Sequence, residues 1–352
     1  MILLVITVVV LAFGTGFVVM RLHRHAGSQC NTAGACAARG IDNGASLRVL
    51  IDSPPVFGWR DPTAAAMSRG EIWVTDASTN SVTGFGWRIG SPPQTWSGRH
   101  YRFSGPHAIT SGHGMLWIAS ANSLTEMNAA DGKMVRVITR PATRDLSALV
   151  MFGRRLWVAN GRYVAEINTT TGKIVRAFGG RWYRFNHPNA LAVSDRRLWV
   201  ANAGSSSLTE MDALTGRLVR TLPGTALGLS DPITETADQS TLWVANNGAD
   251  SISQIDTTTG RLVRVIGGAK YRIDNPAAMV AAGGLLWVVN SGGNSLTEIN
   301  ARTGGLVGVL NAHRFGLDAP SAIVAYQGRL WIVNQAAGTV TELIPRLGHR
   351  SR

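Results

Sequence analysis

Apolar and polar residues alternate along this chain in short runs, and the runs return at a near-constant interval. The fullest unit reads Pro276-Ala277-Ala278, then Leu286-Trp287-Val288-Val289-Asn290, then Ser295-Leu296-Thr297-Glu298-Ile299-Asn300, then Leu306-Val307-Gly308-Val309-Leu310. Each run has strand length and is bounded by Gly, Asn or Pro. Variants of Leu242-Trp243-Val244-Ala245-Asn246 recur with Trp in second place, at Trp73, Trp117, Trp157, Trp199, Trp243, Trp287 and Trp331, spaced 44, 40, 42, 44, 44 and 44 residues apart. Such a period marks stacked units, and four short strands per unit predict a propeller blade. No amphipathic helical pattern lies between the strands, as parallel crossovers would need. The expectation is an all-β, seven-bladed β-propeller, with the repeated Trp wedged between neighbouring sheets rather than offered to a ligand.

The ends of the array predict how the ring closes. The last unit stops after Thr339-Val340-Thr341-Glu342-Leu343, without a fourth strand, while Ser46-Leu47-Arg48-Val49-Leu50-Ile51 precedes the first complete unit and reads like the fourth strand Leu262-Val263-Arg264-Val265-Ile266. Pairing the two would build the seventh blade from both termini and remove an exposed seam.

Charge and composition add what the fold does not require. The chain of 352 residues carries a formal net charge of +13. Arg21, Arg24 and Arg39 against Asp42 place +2 before the ring, and Arg346, Arg350 and Arg352 place +3 in a basic tail at 345–352, so the ring itself, 46–344, holds +8. That balance favours an anionic partner, with nucleic acid not excluded. Residues 2–20 form an apolar run of 19 residues without a charge. This is long enough for a membrane-spanning helix, and it lacks the basic start of a cleaved signal. The expectation is a single-pass cell-membrane anchor at 1–20. Arg21 and Arg24 behind it argue for a cytoplasmic ring; an exported ring is the other orientation. Residues 21–45 read as a flexible linker. Cys30 and Cys36 lie in it with five residues between them, a spacing that suits neither a zinc site nor a redox pair.

The phrases Leu198-Trp199-Val200-Ala201-Asn202, Ser207-Leu208-Thr209-Glu210-Met211-Asp212 and Thr215-Gly216-Arg217-Leu218-Val219-Arg220 resemble the YVTN and NHL families of β-propeller repeats, over nearly all of 46–344. The first unit, with Ile72-Trp73-Val74-Thr75-Asp76, looks closest to NHL and the later ones to YVTN. The resemblance implies a propeller that binds something and names no ligand. The architecture is also similar to that of the virginiamycin B lyase family, whose chemistry is metal-assisted. That family tends to carry Glu at the end of the second strand, where this chain has Asp76, Ser120, Asn160, Asn202, Asn246, Asn290 and Asn334.

Candidate site residues come from the connections between blades, where the units differ. Arg99-His100-Tyr101-Arg102-Phe103, Arg181-Trp182-Tyr183-Arg184-Phe185, Lys270-Tyr271-Arg272-Ile273 and His313-Arg314-Phe315 share a basic and aromatic text. Such groups stack on rings and pair with phosphate or carboxylate; the plainer reading is that the Tyr and Phe rings tuck between blades while Arg reaches water. Just beyond lie Asp61, His107, Asp145, His187, Asn189, Asp231, Asp274, Asn275 and Asp318, near the channel mouth, where Asp and Asn are also ordinary turn formers. The ligand-binding set expected from these segments is Tyr101, Arg102, His107, Tyr183, Arg184, His187, Asn189, Tyr271 and Arg272. No catalytic residue, metal set or cofactor is expected. The second-strand Asn series reads as strand caps. Glu126, Glu166, Glu210, Glu298 and Glu342 against Arg136, Arg176, Arg220 and Arg264 read as cross-strand pairs. Two functions follow: a membrane-tethered binding or scaffold module for an anionic or protein partner, or a metal-assisted lyase or hydrolase at the channel mouth drawing on His107, His187 and Asp231.

Overall fold

The computed structural model describes residues 46–50 (backbone only), 58–86, 93–139, 143, 145–238, 240–311 and 315–345. Seven antiparallel sheets of four strands form the blades. Blade 1 shows the pattern, with β2 (Pro62–Ser68), β3 (Glu71–Asp76), β4 (Ser81–Gly86) and β5 (Gln94–Ser97) in spatial order. Blades 2 to 6 repeat it over 108–138, 146–178, 188–223, 232–267 and 276–311. Blade 7 consists of β26 (Pro320–Tyr326), β27 (Arg329–Asn334) and β28 (Thr339–Ile344), closed by β1 (Ser46–Leu50) with Ser46 opposite Ile344 and Leu50 opposite Val340. The seam is therefore closed by the two ends of the array, as its truncated repeat implied. The expected anchor at 2–20, the linker at 21–45 and the tail beyond 345 lie outside the described residues. Among the described residues no helix is long and apolar enough to cross a membrane.

First strands of neighbouring blades touch one another around the ring and line its axis. Second strands are buried on both faces, because each sheet is sandwiched between two others; all seven repeat tryptophans are 2% exposed or less. Each such Trp lies opposite the third-strand acid or its replacement, and the fourth-strand arginine completes a row: Trp117, Glu126 and Arg136; Trp157, Glu166 and Arg176; Trp199, Glu210 and Arg220. Arg136 holds Glu126 at 2.6 Å and Arg176 holds Glu166 at 2.5 Å. The same guanidiniums then reach the next blade. Arg136 donates to the carbonyl of Thr170, Arg176 to those of Thr215 and Leu214, Arg220 to Thr259, and Arg264 to Thr303. The cross-strand pairs thus become latches between blades. Glu298 faces Gly308 instead of an arginine, and burial alone raises its pKa.

The second-strand asparagines differ from the caps expected of them. Among the described residues, Asp76 and Asn160 accept from the N–H groups of the following turn, at Thr79 and at Arg162 and Tyr163, and Asp76 also accepts from Arg60 and Asp61 ahead of its first strand. In blades 4 to 7 the buried Asn202, Asn246, Asn290 and Asn334 accept instead from the chain entering the first strand, at Asn186, Ser230, Asp274 and Asp318. Their amides donate to third-strand hydroxyls at Thr209, Ser253, Thr297 and Thr341. With both strand neighbours packed over it, a buried Asn has to satisfy donor and acceptor inside the sheet.

One core position departs from the repeat. Glu235 on the first strand of blade 5 aligns with Ala65, Ile109, Leu149, Leu191, Met279 and Ile323, and neither carboxyl oxygen has a hydrogen-bond partner of ordinary geometry, although the backbone N–H groups of Ala192 and Ala201 lie near. Burial lifts its pKa from 4.5 to about 8. Below pH 4.5 the group is protonated folded and unfolded alike; from there to about pH 8 unfolding releases its proton, so its share of stability is lost as pH rises. Glu235→Met, which restores the apolar pattern, is expected to raise the melting temperature by a few degrees at pH 8 and by little at pH 4.5. A thermal scan showing the same increment at both pH values would refute the assignment.

Candidate functional site

The connection from each fourth strand to the next first strand does not simply sit on the rim. It dips into the wedge that opens between two diverging sheets. Thr125, Thr209 and Thr297, each in the middle of a third strand, donate to the backbone carbonyls of Tyr101, Tyr183 and Tyr271. The three tyrosine hydroxyls donate in turn to the hairpin carbonyls of Gly132, Gly216 and Gly304, at 3.2, 3.2 and 2.8 Å. Tyr101 stacks on Phe103 and Tyr183 on Phe185, both with centroids 5.4 Å apart. The rings of these connections fill the gap between blades, and their polar atoms are committed to backbone.

The arginine beside each tyrosine goes the other way. Arg102, Arg184 and Arg272 are exposed, with φ of 55°, 52° and 50°. The matching residues of three further connections are Gly58, Gly228 and Gly316, with φ of 65°, 63° and 61°. This is the left-handed region, where a side chain costs roughly 1–2 kcal/mol that glycine does not incur. The arginines stand in every second connection: blade 1 to 2, 3 to 4 and 5 to 6. Among the described residues none of the three guanidiniums makes an ion pair or a hydrogen bond. Arg272 also lines a cleft of about 570 Å³ with Asp274, Gly292, Gly293, Asn294, Ser295 and Asn311, within the usual size of ligand pockets. Gly293 keeps it open where the matching turns carry Ser205 and Ala249.

The histidines do not converge. His107 follows the Pro position of its first strand, aligned with Asn189, whereas His187 precedes one. Both ring nitrogens of His107 face carbonyl oxygens, Nδ1 that of Gly105 at 2.8 Å and Nε2 that of Leu146 on the next blade. Thr63, Ser147 and Ser321 occupy the same register position and donate to the next blade in the same way, at Pro106, Pro188 and Pro62. The His107 ring is thus one link of an inter-blade girdle around the mouth. His187 is exposed, its Nδ1 3.0 Å from Oδ1 of Asn186. His187, Asp145, Asp231 and Asn275 all take φ between 47° and 50° just before a first strand, the turn geometry such residues tolerate. Among the described residues no three His, Cys, Asp or Glu side chains gather as a metal set.

No protein-family model matches the chain, and no curated protein matches it in sequence. Solved structures do resemble it. Virginiamycin B lyase from Staphylococcus aureus superposes with a TM-score of 0.71 at 17% identity over 85% of this chain and 99% of that one. A streptogramin B lyase gives 0.70 at 16%, over 85% and 97%. BamB from Moraxella catarrhalis gives 0.56 at 15%, over 82% and 84%. At these identities the likeness is one of fold, a β-propeller, and the resemblance to YVTN and NHL repeats rests on the repeat phrases themselves.

Because glycine suits their backbone better, replacing Arg102, Arg184 and Arg272 by Gly is expected to leave the melting temperature unchanged or slightly raised, the relieved strain being offset by the freer unfolded chain. A drop of more than a few degrees in differential scanning calorimetry would show that the arginines hold the loops together.

Proposed function

We propose that the chain is a membrane-tethered propeller whose connection-bearing face binds an anionic partner, a polyanion or an acidic protein surface. The observation that carries this reading is the set of three unpaired arginines held in left-handed backbone conformation, at positions where the other described connections use glycine. Strain retained where a cheaper residue fits is a mark of function. Topology adds direction. Ser46 pairs with Ile344 at the end of a third strand, so residues 1–45 join the ring on the face opposite the arginine connections. A helix at 2–20 would tether one face to the bilayer and turn the other away from it. The lyase or hydrolase alternative lacks such support, since both ring nitrogens of His107 are taken up between blades 2 and 3 and, among the described residues, His187 and Asp231 gather no third metal-ligating side chain.

Retention on a phosphate-bearing matrix tests the reading with full-length protein in neutral detergent. The triple variant Arg102→Gly, Arg184→Gly, Arg272→Gly should elute at lower salt, with the slope of log affinity against log salt reduced by about 2–3. Replacing Lys133, Lys173 and Arg217 by Ala removes the same charge from hairpins on the opposite face and should change elution little. Equal losses from both triples would reduce the effect to net charge and overturn the proposal.

A further inference from the structure

The turn at 181–184 carries a tryptophan at a position where its counterparts have none. Its Tyr183 points inward, stacked on Phe185 and bonded to Gly216, so the neighbouring Trp182 points out and is 76% exposed. Packing does not call for a tryptophan there: the matching residues are His100, Ala226 and Lys270. The guanidinium of Arg181 lies 5.9 Å from the Trp182 ring centre, covering one face and leaving the other free. A second exposed ring is close by. Tyr163, 46% exposed, occupies the space above Gly179, where a Cβ would come within 2.6 Å of it, and Gly179 precedes Trp182 by three residues. Arg162 adjoins Tyr163 in the chain and Arg184 follows Trp182 by two residues, and both are exposed.

From this we infer that the surface between blades 3 and 4 binds single-stranded nucleic acid, a base stacking on Trp182 and the adjoining phosphates meeting Arg162, Arg181 and Arg184. The inference rests on the anionic reading of the connection face and names the class of partner. The charged side chains of 161–163 and 179–187 are all arginine, with no carboxylate. Guanidiniums are cationic and only donate hydrogen bonds, which favours a charged ligand rich in acceptors, such as a phosphodiester, over the neutral hydroxyls of a sugar. A bilayer surface fits less well, because the chain that leads to the expected anchor leaves from the other face.

The test uses full-length protein in neutral detergent and three labelled probes at matched charge: a twelve-nucleotide thymidine strand, an abasic strand of the same length and a sulfated polysaccharide. Fluorescence anisotropy is expected to show the thymidine strand bound on the order of ten-fold more tightly than the abasic one, with the ratio falling to near one in Trp182→Ala and kept in Trp182→Phe. Since Trp182 is exposed, the variants should melt with the wild type; Trp182→His, which copies the blade 1 to 2 turn, replaces Trp182→Ala if that variant unfolds. Equal affinity for the two strands, an unchanged ratio without the indole, or a preference for the polysaccharide would overturn the base-stacking inference while leaving an anionic face. Binding of none of the three would overturn the anionic reading itself.

Discussion

Everything in this ring depends on filling the wedge between neighbouring blades. Twisted sheets arranged around an axis touch at their first strands and diverge outward, so each gap needs a different filler at each radius. Near the axis the fillers are the small and branched first-strand residues, with the hydroxyl and imidazole girdle of Thr63, His107, Ser147 and Ser321 across the mouth. In the middle it is the repeated tryptophan. At the periphery the connection itself dips in, as at Tyr183 and Phe185, and Arg176 or Arg220 fastens one blade to the next hairpin. A closed ring leaves no blade free to relax, which is why β1 has to come back and complete blade 7.

The same constraint produces the outward-facing chemistry. A connection anchored by a tyrosine in the wedge has to turn sharply to reach the next first strand, and a left-handed residue makes the turn. Glycine suffices for that in three connections. Where arginine stands instead, a long cation projects from a turn whose base is fixed by a hydroxyl-to-carbonyl bond and a backbone carbonyl bond. The backbone that carries this cation is in place before any ligand arrives, so the ordering cost of binding falls on the side chain alone. The blade 3 to 4 turn adds Trp182 to that arrangement.

Much of the fold was legible because its signal is periodic: Trp at a near-constant interval gives the blade count, and the missing strand after Leu343 gives the closure. The site was legible in part. The sequence offered both a ligand face and a packing role for its connections; the rings of Tyr101, Tyr183 and Tyr271 turn inward and the arginines outward, as the packing role has it, and strand alternation could not decide between them because it does not carry through a turn. His107 and His187 looked alike beside their prolines until strand register put them two positions apart. Asn202 and its relatives read as turn caps, since nothing local announces that a residue 16 positions upstream supplies the N–H. Glu235 escaped notice for a related reason: a single acid in a short strand reads as a surface residue, and only alignment with Leu191 and Met279 shows that it replaces a core side chain. Trp182 was visible in the text, and aligning it with His100, Ala226 and Lys270 would have marked it as dispensable to packing.

The central claim is that ligand chemistry is confined to the connection face and leaves the hairpin face alone. Hydrogen–deuterium exchange of the full-length protein with and without the thymidine strand tests it most directly. The account predicts added protection in 98–105, 179–187 and 268–275, with the hairpins at 129–133, 169–173 and 213–217 unchanged. Protection centred on those hairpins, or spread evenly around the ring, would contradict it.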